Sequence, residues 1–248
     1  MDTIEIAKQS IENFSIDEAL YSELTEFKKI SVKGSGRIFV KDLNIAANII
    51  IDFTDTVGCK VFLGANLRGN INVFFKGDNS LLYIGNNCFL KKVDIRSFQA
   101  DDFIAVGNQV STTLTNTWIS GNGAGAAKPA IIIGDDCLFS YDIVIRNSDA
   151  HPIFSIDTDE QVNEPKGIVH IEPHVWIAEQ VSILKSVTIG ACSILGLGSI
   201  VTKDVPRFSV ASGVPAVSKQ KPDIYWARND SENAKKRAKY FHEKYKNT

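Results

Sequence analysis

Nowhere does the chain reach the roughly 18 consecutive apolar residues that a membrane-spanning helix needs. Its first ten residues, MDTIEIAKQS, lack the apolar core of a secretory signal. A cytoplasmic protein is expected. Cysteine is scarce: Cys59, Cys88, Cys137 and Cys192 are the only four, and no two form a CxxC pair. That spacing excludes a zinc ribbon or a disulfide framework and predicts reduced, mostly buried thiols. Neither sign of charge is in large excess. The formal charge is −2, which argues against a nucleic-acid binder. What remains is an ordinary globular mix, 44% hydrophobic and 23% charged, in 248 residues. That length suits one large domain with small appendages.

The chain does have a period. From Ile171 it divides into sixes: IEPHVW, IAEQVS, ILKSVT, IGACSI, LGLGSI, VTKDVP. The first positions (Ile171, Ile177, Ile183, Ile189, Leu195, Val201) are all aliphatic, and the fifth (Val175, Val181, Val187, Ser193, Ser199, Val205) are small or β-branched. An amphipathic helix repeats its apolar face every three or four residues and a half-buried strand every two. A period of six fits a short strand followed by a corner, with one aliphatic side chain pointing inward per side. Three sides close a triangular coil, and stacked coils bury a column of Ile, Leu and Val.

The same frame returns at IGDDCL, FSYDIV and IRNSDA, which begin at Ile133, Phe139 and Ile145. Isolated repeats stand around Ile84 and from Val57, and Cys88 and Cys137 take the small fifth position. Residues from about 33 to 146 therefore read as imperfect coils with insertions. The ends differ. Residues 1–32 form an N-terminal segment in which IDEALYSELTEFKKI reads as an amphipathic helix. Residues 218–248 read as a C-terminal basic helix. From Lys219 onward the tail carries about +5 and the rest about −7, which suits a solvated capping helix or one drawn to an anionic ligand or a neighbouring subunit. The domain between them spans 33–217 and is broken by a loop over 147–168.

That break begins in RNSDAHPIFSID, residues 146–157. Regular coils cannot project a reactive side chain across a groove, whereas a loop stiffened by Pro152 and held by a rigid scaffold can.

The ordered set HPI (151–153), HVWI (174–177), SVTIG (186–190), LGLGSIVTKDVP (195–206) and ASGVPA (211–216) resembles the hexapeptide-repeat acyltransferases. Within them it is most similar to the maltose/galactoside-type and capsular polysaccharide O-acetyltransferases. The resemblance covers residues 133–217, is weak before Ile131 and is absent from both ends. It implies an all-β core built as a left-handed parallel β-helix, with N-terminal and C-terminal helical segments. It also implies acetyl-CoA as cosubstrate, no metal, a carbohydrate acceptor and a homotrimer with the CoA groove between adjacent β-helices.

Residue by residue, the resemblance makes His151 the general base. The chemistry agrees, because a sugar hydroxyl is a poor nucleophile near neutral pH and an imidazole can take its proton and return it to the leaving thiolate. Asp149 is a candidate to orient the ring, and a backbone carbonyl is another. Trp176 would flank the thioester. Ala178, Glu179, Gly196, Leu197 and Gly198 would line the CoA arm, with backbone N–H groups there available to an oxyanion. Thr202 and Lys203 match the family's TK pair near the far end of CoA. The arginine that often follows GVPA is missing here, so Lys219, with Lys221 and Arg228 as alternatives, is assigned to the phosphates.

Three other readings compete. One is a zinc enzyme of the γ-carbonic-anhydrase type using His151, His170 and His174, whose close pair is four apart where that type has five. Another is N-acetylation of an amino-sugar nucleotide. The third is a non-catalytic β-helix acting in assembly.

Overall fold

Eighteen residues separate each residue of the regular run from its hydrogen-bonded partner. His170 pairs with Thr188, Trp176 with Ile194 and Ser182 with Ile200, all in parallel. The expected register is thus present in the structure, a computed structural model that describes residues 2–25, 29–121, 128–164 and 167–246. Residues 1 and 26–28 of the N-terminal segment, 165–166 of the loop and 247–248 of the tail lie outside the described residues.

Three walls of stacked parallel strands form a β-helix. The first wall runs from Arg37–Val40 through Lys60–Leu63, Leu81–Ile84, Phe103–Val106 and Ala130–Ile133 to Ile168–Ile171 and Thr188–Ile189. The second carries Ser111–Thr112, Leu138–Phe139, Trp176–Ile177, Ile194–Leu195 and Ser209–Gly213. The third carries Ile30–Gly34, Asn48–Phe53, Arg68–Phe75, Asn116–Ser120, Ile143–Arg146, Ser182–Ile183 and Ile200–Val201. Phe89–Ser97 turns a corner and serves both the second and third walls. All six aliphatic first positions from Ile171 to Val201 are buried, as are their fifth-position neighbours. Each buried Ile or Leu contributes roughly 1.5–3 kcal/mol.

Earlier coils are longer because of their corners and differ because of what covers them. Val61 pairs with Leu82 and Leu82 with Ile104, 21 and 22 residues on. Their first-wall strands are buried on both sides, so RIFV, KVFL, FIAV and AIII read as continuous apolar runs rather than alternating ones. The outward column Phe39, Phe62, Tyr83, Ala105, Ile132 and His170 follows the register of that wall. Helix α1 (Thr3–Ser10) lies over it, packing Ala7 and Ile11 against the aromatic residues. Ser10 Oγ meets His170 Nε2 at 2.7 Å.

Corners are made by single residues in the left-handed region. Between the first and second walls Asn66, Asn87, Gln109, Asp136, His174 and Cys192 have φ of 57 to 61°. The N–H of each later residue in this column reaches a corner carbonyl one coil back, as Asp136 does to Asn108 and His174 to Asp135, both at 2.8 Å. Asn and Asp tolerate this conformation better than other side chains. All four cysteines are buried and free, and burial pushes the Cys88 thiol up to about 12.

The ends depart from the sequence reading. IDEALYSELTEFKKI is not a helix over its described residues: it forms one 3₁₀ turn, Glu18–Leu20, then a strand, Ser22–Glu23, antiparallel to Val40 and Phe39. The exposed edge of the first coil captures the segment, and this long-range pairing overrides helix propensity. Arg37 secures it through Glu18 and Glu23. At the other end, residues assigned to the basic helix begin as a strand, Ala216–Gln220, which closes a hairpin with Ser209–Gly213. Helix α2 starts only at Glu232 and ends at Lys246. It packs Phe241 and Tyr245 on Ala191 and Cys192.

The tail is fixed by a buried carboxylate. Asp136, 1% exposed, bonds His174 Nδ1 at 2.8 Å and Arg228 Nε at 3.1 Å, and Arg237 Nε lies 3.0 Å away. His174 stacks between Trp226 and Phe241. Burial raises the Asp136 carboxyl, but the His174 bond and the two guanidinium charges hold it below its ordinary value.

Inside the corner between the third and first walls sits a second buried carboxyl. Ser120 Oγ bonds Asp102 and accepts from Asn147 Nδ2 at 2.7 Å. Asp102 is 1% exposed. Burial raises its carboxyl from 3.8 to about 7, although Ser120 and Ser97 pull the other way. The folded chain therefore keeps a proton that the unfolded chain releases. Its stabilising effect is complete below about 3.8 and is lost as pH rises through about 7. Asp102→Asn has no such proton to lose. Its unfolding midpoint should gain on the wild type as pH is raised from about 4 to about 7. A gap between the two that stays constant across that range would mean the carboxyl titrates alike in both states.

Candidate active site

The one large departure from the 18-residue register lies just before the regular run. Ile133 pairs with Ile171, 38 residues on, an excess of 20. Phe139 with Ile177 and Ile145 with Ile183 show the same 38. The extra chain therefore leaves after Arg146 and returns before Ile168, at the corner between the third and first walls. Asn147 closes the neck: its Nδ2 bonds the carbonyls of Ala130 and Gly167, both at 3.2 Å, and its Oδ1 accepts from Gly121 N.

His151 is exposed on this loop, and its ring has no hydrogen-bond partner among the described residues. Asp149 does not orient it. The carboxylate bonds Lys185 Nζ, and Asn163 Nδ2 at 2.9 Å. Burial raises the Asp149 carboxyl, and those two bonds with the Lys185 and Arg146 charges bring it below its ordinary value. Beyond His151 the chain makes a small antiparallel bridge, Phe154 to Gln161. Ile153, Phe154, Val162 and Ile156, the last 99% exposed, all face outward there. Thr202 and Lys203 occupy the same corner, Lys203 one coil beyond Lys185, and both are exposed.

A second group gathers on the opposite side of the prism. Trp176 stands on the second wall, 36% exposed, paired with Leu138 on one side and Ile194 on the other. Ile194 pairs with Val210 and Val210 with Lys219, so Trp176 and Lys219 share a face, roughly 14 Å apart at ordinary strand spacing. At the adjoining corner with the third wall Glu179 and Leu197 stack, and Leu197 is 60% exposed. The N–H groups of Ala178, Gly196 and Gly198 are engaged by neighbouring coils, at 3.0, 2.8 and 2.9 Å. They are therefore not available to an oxyanion, a correction to the sequence reading. The N–H groups of Glu179 and Leu197 form no bond among the described residues. Gly198 has φ +68°, and a Cβ there would meet nothing within 4 Å, so the surface at this corner is open.

Two further assignments change. Arg228 is not free for phosphates: besides Asp136 it bonds Ser111 Oγ and the carbonyls of Gln109 and Cys137. The three histidines of the zinc reading are held apart, His170 on the first wall against Ser10, His174 buried at a corner with Asp136, and His151 on its loop. His174 is a packing residue of the tail, not an ordinary polar position. Sequence reasoning missed Asn147, Asn163, Lys185 and Trp226. Asn147 lay inside the quoted motif. The partners of the others are 14 to 52 residues distant, and no local pattern marks them.

No protein-family model matches the chain. It is 40% identical over 103 residues to a polysialic acid O-acetyltransferase of Escherichia coli O1:K1 / APEC, covering 42% of this chain and 33% of that one. To a polysialic acid O-acetyltransferase of Neisseria meningitidis it is 36% identical over 124 residues, 44% of this chain and 57% of that one. The chain thus spans between a third and somewhat over half of the length of these relatives. The crystal structure of the polySia-specific acetyltransferase NeuO superposes with a TM-score of 0.73 at 29% identity, covering 87% of this chain and 91% of that one. The fold class is accordingly the left-handed hexapeptide-repeat β-helix, and these similar proteins are acetyltransferases.

Proposed function

We propose that the chain moves an acetyl group from acetyl-CoA to a hydroxyl of a sugar or bacterial surface polysaccharide, with His151 as general base. The observation that carries this reading is the 20-residue excursion from a strict register that presents an exposed histidine beside a β-helix corner. The relatives' names, all O-acetyltransferases, favour a hydroxyl acceptor over an amine. No helix of the described residues is long and apolar enough to cross a membrane. Acetyl-CoA is made in the cytoplasm, where we place the reaction.

In this scheme the imidazole removes the acceptor's proton as its oxygen attacks the thioester carbonyl. The tetrahedral intermediate collapses, the carbon–sulfur bond breaks and the proton passes to the departing thiolate. Trp176 packs beside the thioester. The N–H groups of Glu179 and Leu197 bind carbonyl oxygens of the CoA arm, and Lys219 meets the phosphates. Asp149 anchors the loop rather than the ring. His151, Thr202 and Lys203 sit at one corner and Trp176, Glu179, Leu197 and Lys219 across the prism, so one chain holds two half-sites. A full site forms when the loop corner of one copy meets the second wall of the next. Such a head-to-tail contact closes into a ring, and a triangular prism suits a homotrimer.

Three outcomes test this. His151→Ala should lower kcat by about 10²–10⁴-fold while acetyl-CoA binding and thermal unfolding stay near wild type. A mutant keeping a third of the turnover, or one that simply unfolds, would overturn the base assignment. Trp176→Ala should raise KM for acetyl-CoA and lower kcat together; unchanged constants with lower stability would make it packing only. Sedimentation should find three 27.3 kDa chains per particle, and a stable, fully active monomer would rule out a shared site.

A further inference from the structure

The residues on either side of His151 converge on one side chain. Asn163 Nδ2 donates to Asp149 at 2.9 Å and to the carbonyl of His151 at 3.0 Å. Its Oδ1 accepts from the N–H of Ile153 at 2.8 Å and from Gln161 Nε2 at 3.2 Å. One amide therefore uses both donors and its acceptor on the residues two before, at and two after position 151. The hub is in turn tied to the scaffold. Lys185 Nζ donates to the Asp149 carboxylate and, at 3.0 Å, to the carbonyl of Asn163. Lys185 stands on the corner that follows Ile183, whose side chain belongs to the fully buried column.

We infer that Asn163, held by Lys185, is the positioning residue of His151, fixing the backbone from Asp149 to Ile153 so that the ring projects from one place. The inference rests on His151 being the base. The His151 ring has no partner of its own, so its direction is set by the backbone that carries it. The Ile156 tip of the loop makes no comparable contacts and is almost fully exposed, so nothing further out can do the same work. A neck closed by Asn147 fixes where the loop leaves but not the conformation four residues on. Lys185 and Asn163 supply that second point of attachment. Misplacement of a catalytic group by about 1 Å costs on the order of 100-fold in rate.

The experiment pairs Asn163→Ala with His151→Ala, each alone and combined, with kcat and the acetyl-CoA KM measured for all. Asn163→Ala should lower kcat about 10- to 100-fold, leave the acetyl-CoA KM within about twofold and leave thermal unfolding unchanged, as the loop lies outside the core. Added to His151→Ala, it should lower kcat no further, since a residue that acts only through the base has nothing left to position. Asn163→Asp keeps size and acceptors but loses the donors to Asp149 and His151, and should lose turnover like the alanine variant. Lys185→Met should lose in the same direction and Lys185→Arg should recover most of it. Full turnover in Asn163→Ala or Asn163→Asp would overturn the inference alone, as would an equal further loss in the His151→Ala background. Full turnover in His151→Ala would sink the base assignment and this inference with it.

Discussion

A coil of this β-helix contains almost no hydrogen bond of its own. Its N–H and C=O groups point along the prism axis, toward the coils before and after, and only there do they find partners. Buried backbone groups left unpaired are costly, so each coil holds its neighbours to one register and one axial spacing. Insertions are then confined to corners, where the chain is free to leave and return without breaking a ladder. The excess of 20 residues obeys this, since Ile133, Phe139 and Ile145 all meet partners 38 on and no wall is disturbed. The same constraint dictates both ends. Ser22–Glu23 pairs with one terminal edge of the first wall, and the 209–220 hairpin folds over the other end.

Legibility followed from the same rule. The frame from Ile171 could be read because an uncovered coil leaves a single inward position per side, and each position must be aliphatic. Where α1 covers the first wall, the outward positions also became apolar, Phe39, Phe62 and Tyr83 among them, and the six-residue signal blurred into plain β-rich sequence. The helix expected over IDEALYSELTEFKKI failed because an unpaired edge offers more than local propensity can. His151 and Trp176 were found through motif resemblance. The residues that hold them were not, because Lys185 meets Asp149 across 36 positions and Asp136 meets Arg228 across 92. Polar side chains on a corner look alike in sequence whether they face solvent or a partner.

Charge shows this most clearly. Counted along the chain, the tail is basic and looks available to an anionic ligand. In the fold, Arg228 and Arg237 both face the carboxylate of Asp136, and His174 completes the cluster beneath Trp226. An ionised carboxylate at 1% exposure needs those partners. The tail's cations are thus divided: the buried ones close the side of the prism, and the outer lysines remain in solvent. Lys219 belongs to neither group, since it lies on the hairpin in line with Trp176 rather than on α2.

Stability and reactivity fall on different residues for a physical reason. The aliphatic column is buried on every coil, so Ile177 or Ile183 cut to alanine would cost roughly 2–5 kcal/mol wherever it sat in the stack. The His151 loop adds nothing to that column. It is fastened by Asn147 at the neck and by Asn163 and Lys185 higher up, polar contacts that are partly open to solvent and each worth little to folding. A scaffold whose ladder tolerates no shift can therefore carry a loop that is free to change in length and sequence, provided that the two attachment points are kept. Such a division lets acceptor preference vary through the exposed stretch from Ile153 to Val162 without touching the register on which the second wall, and Trp176 with it, depends.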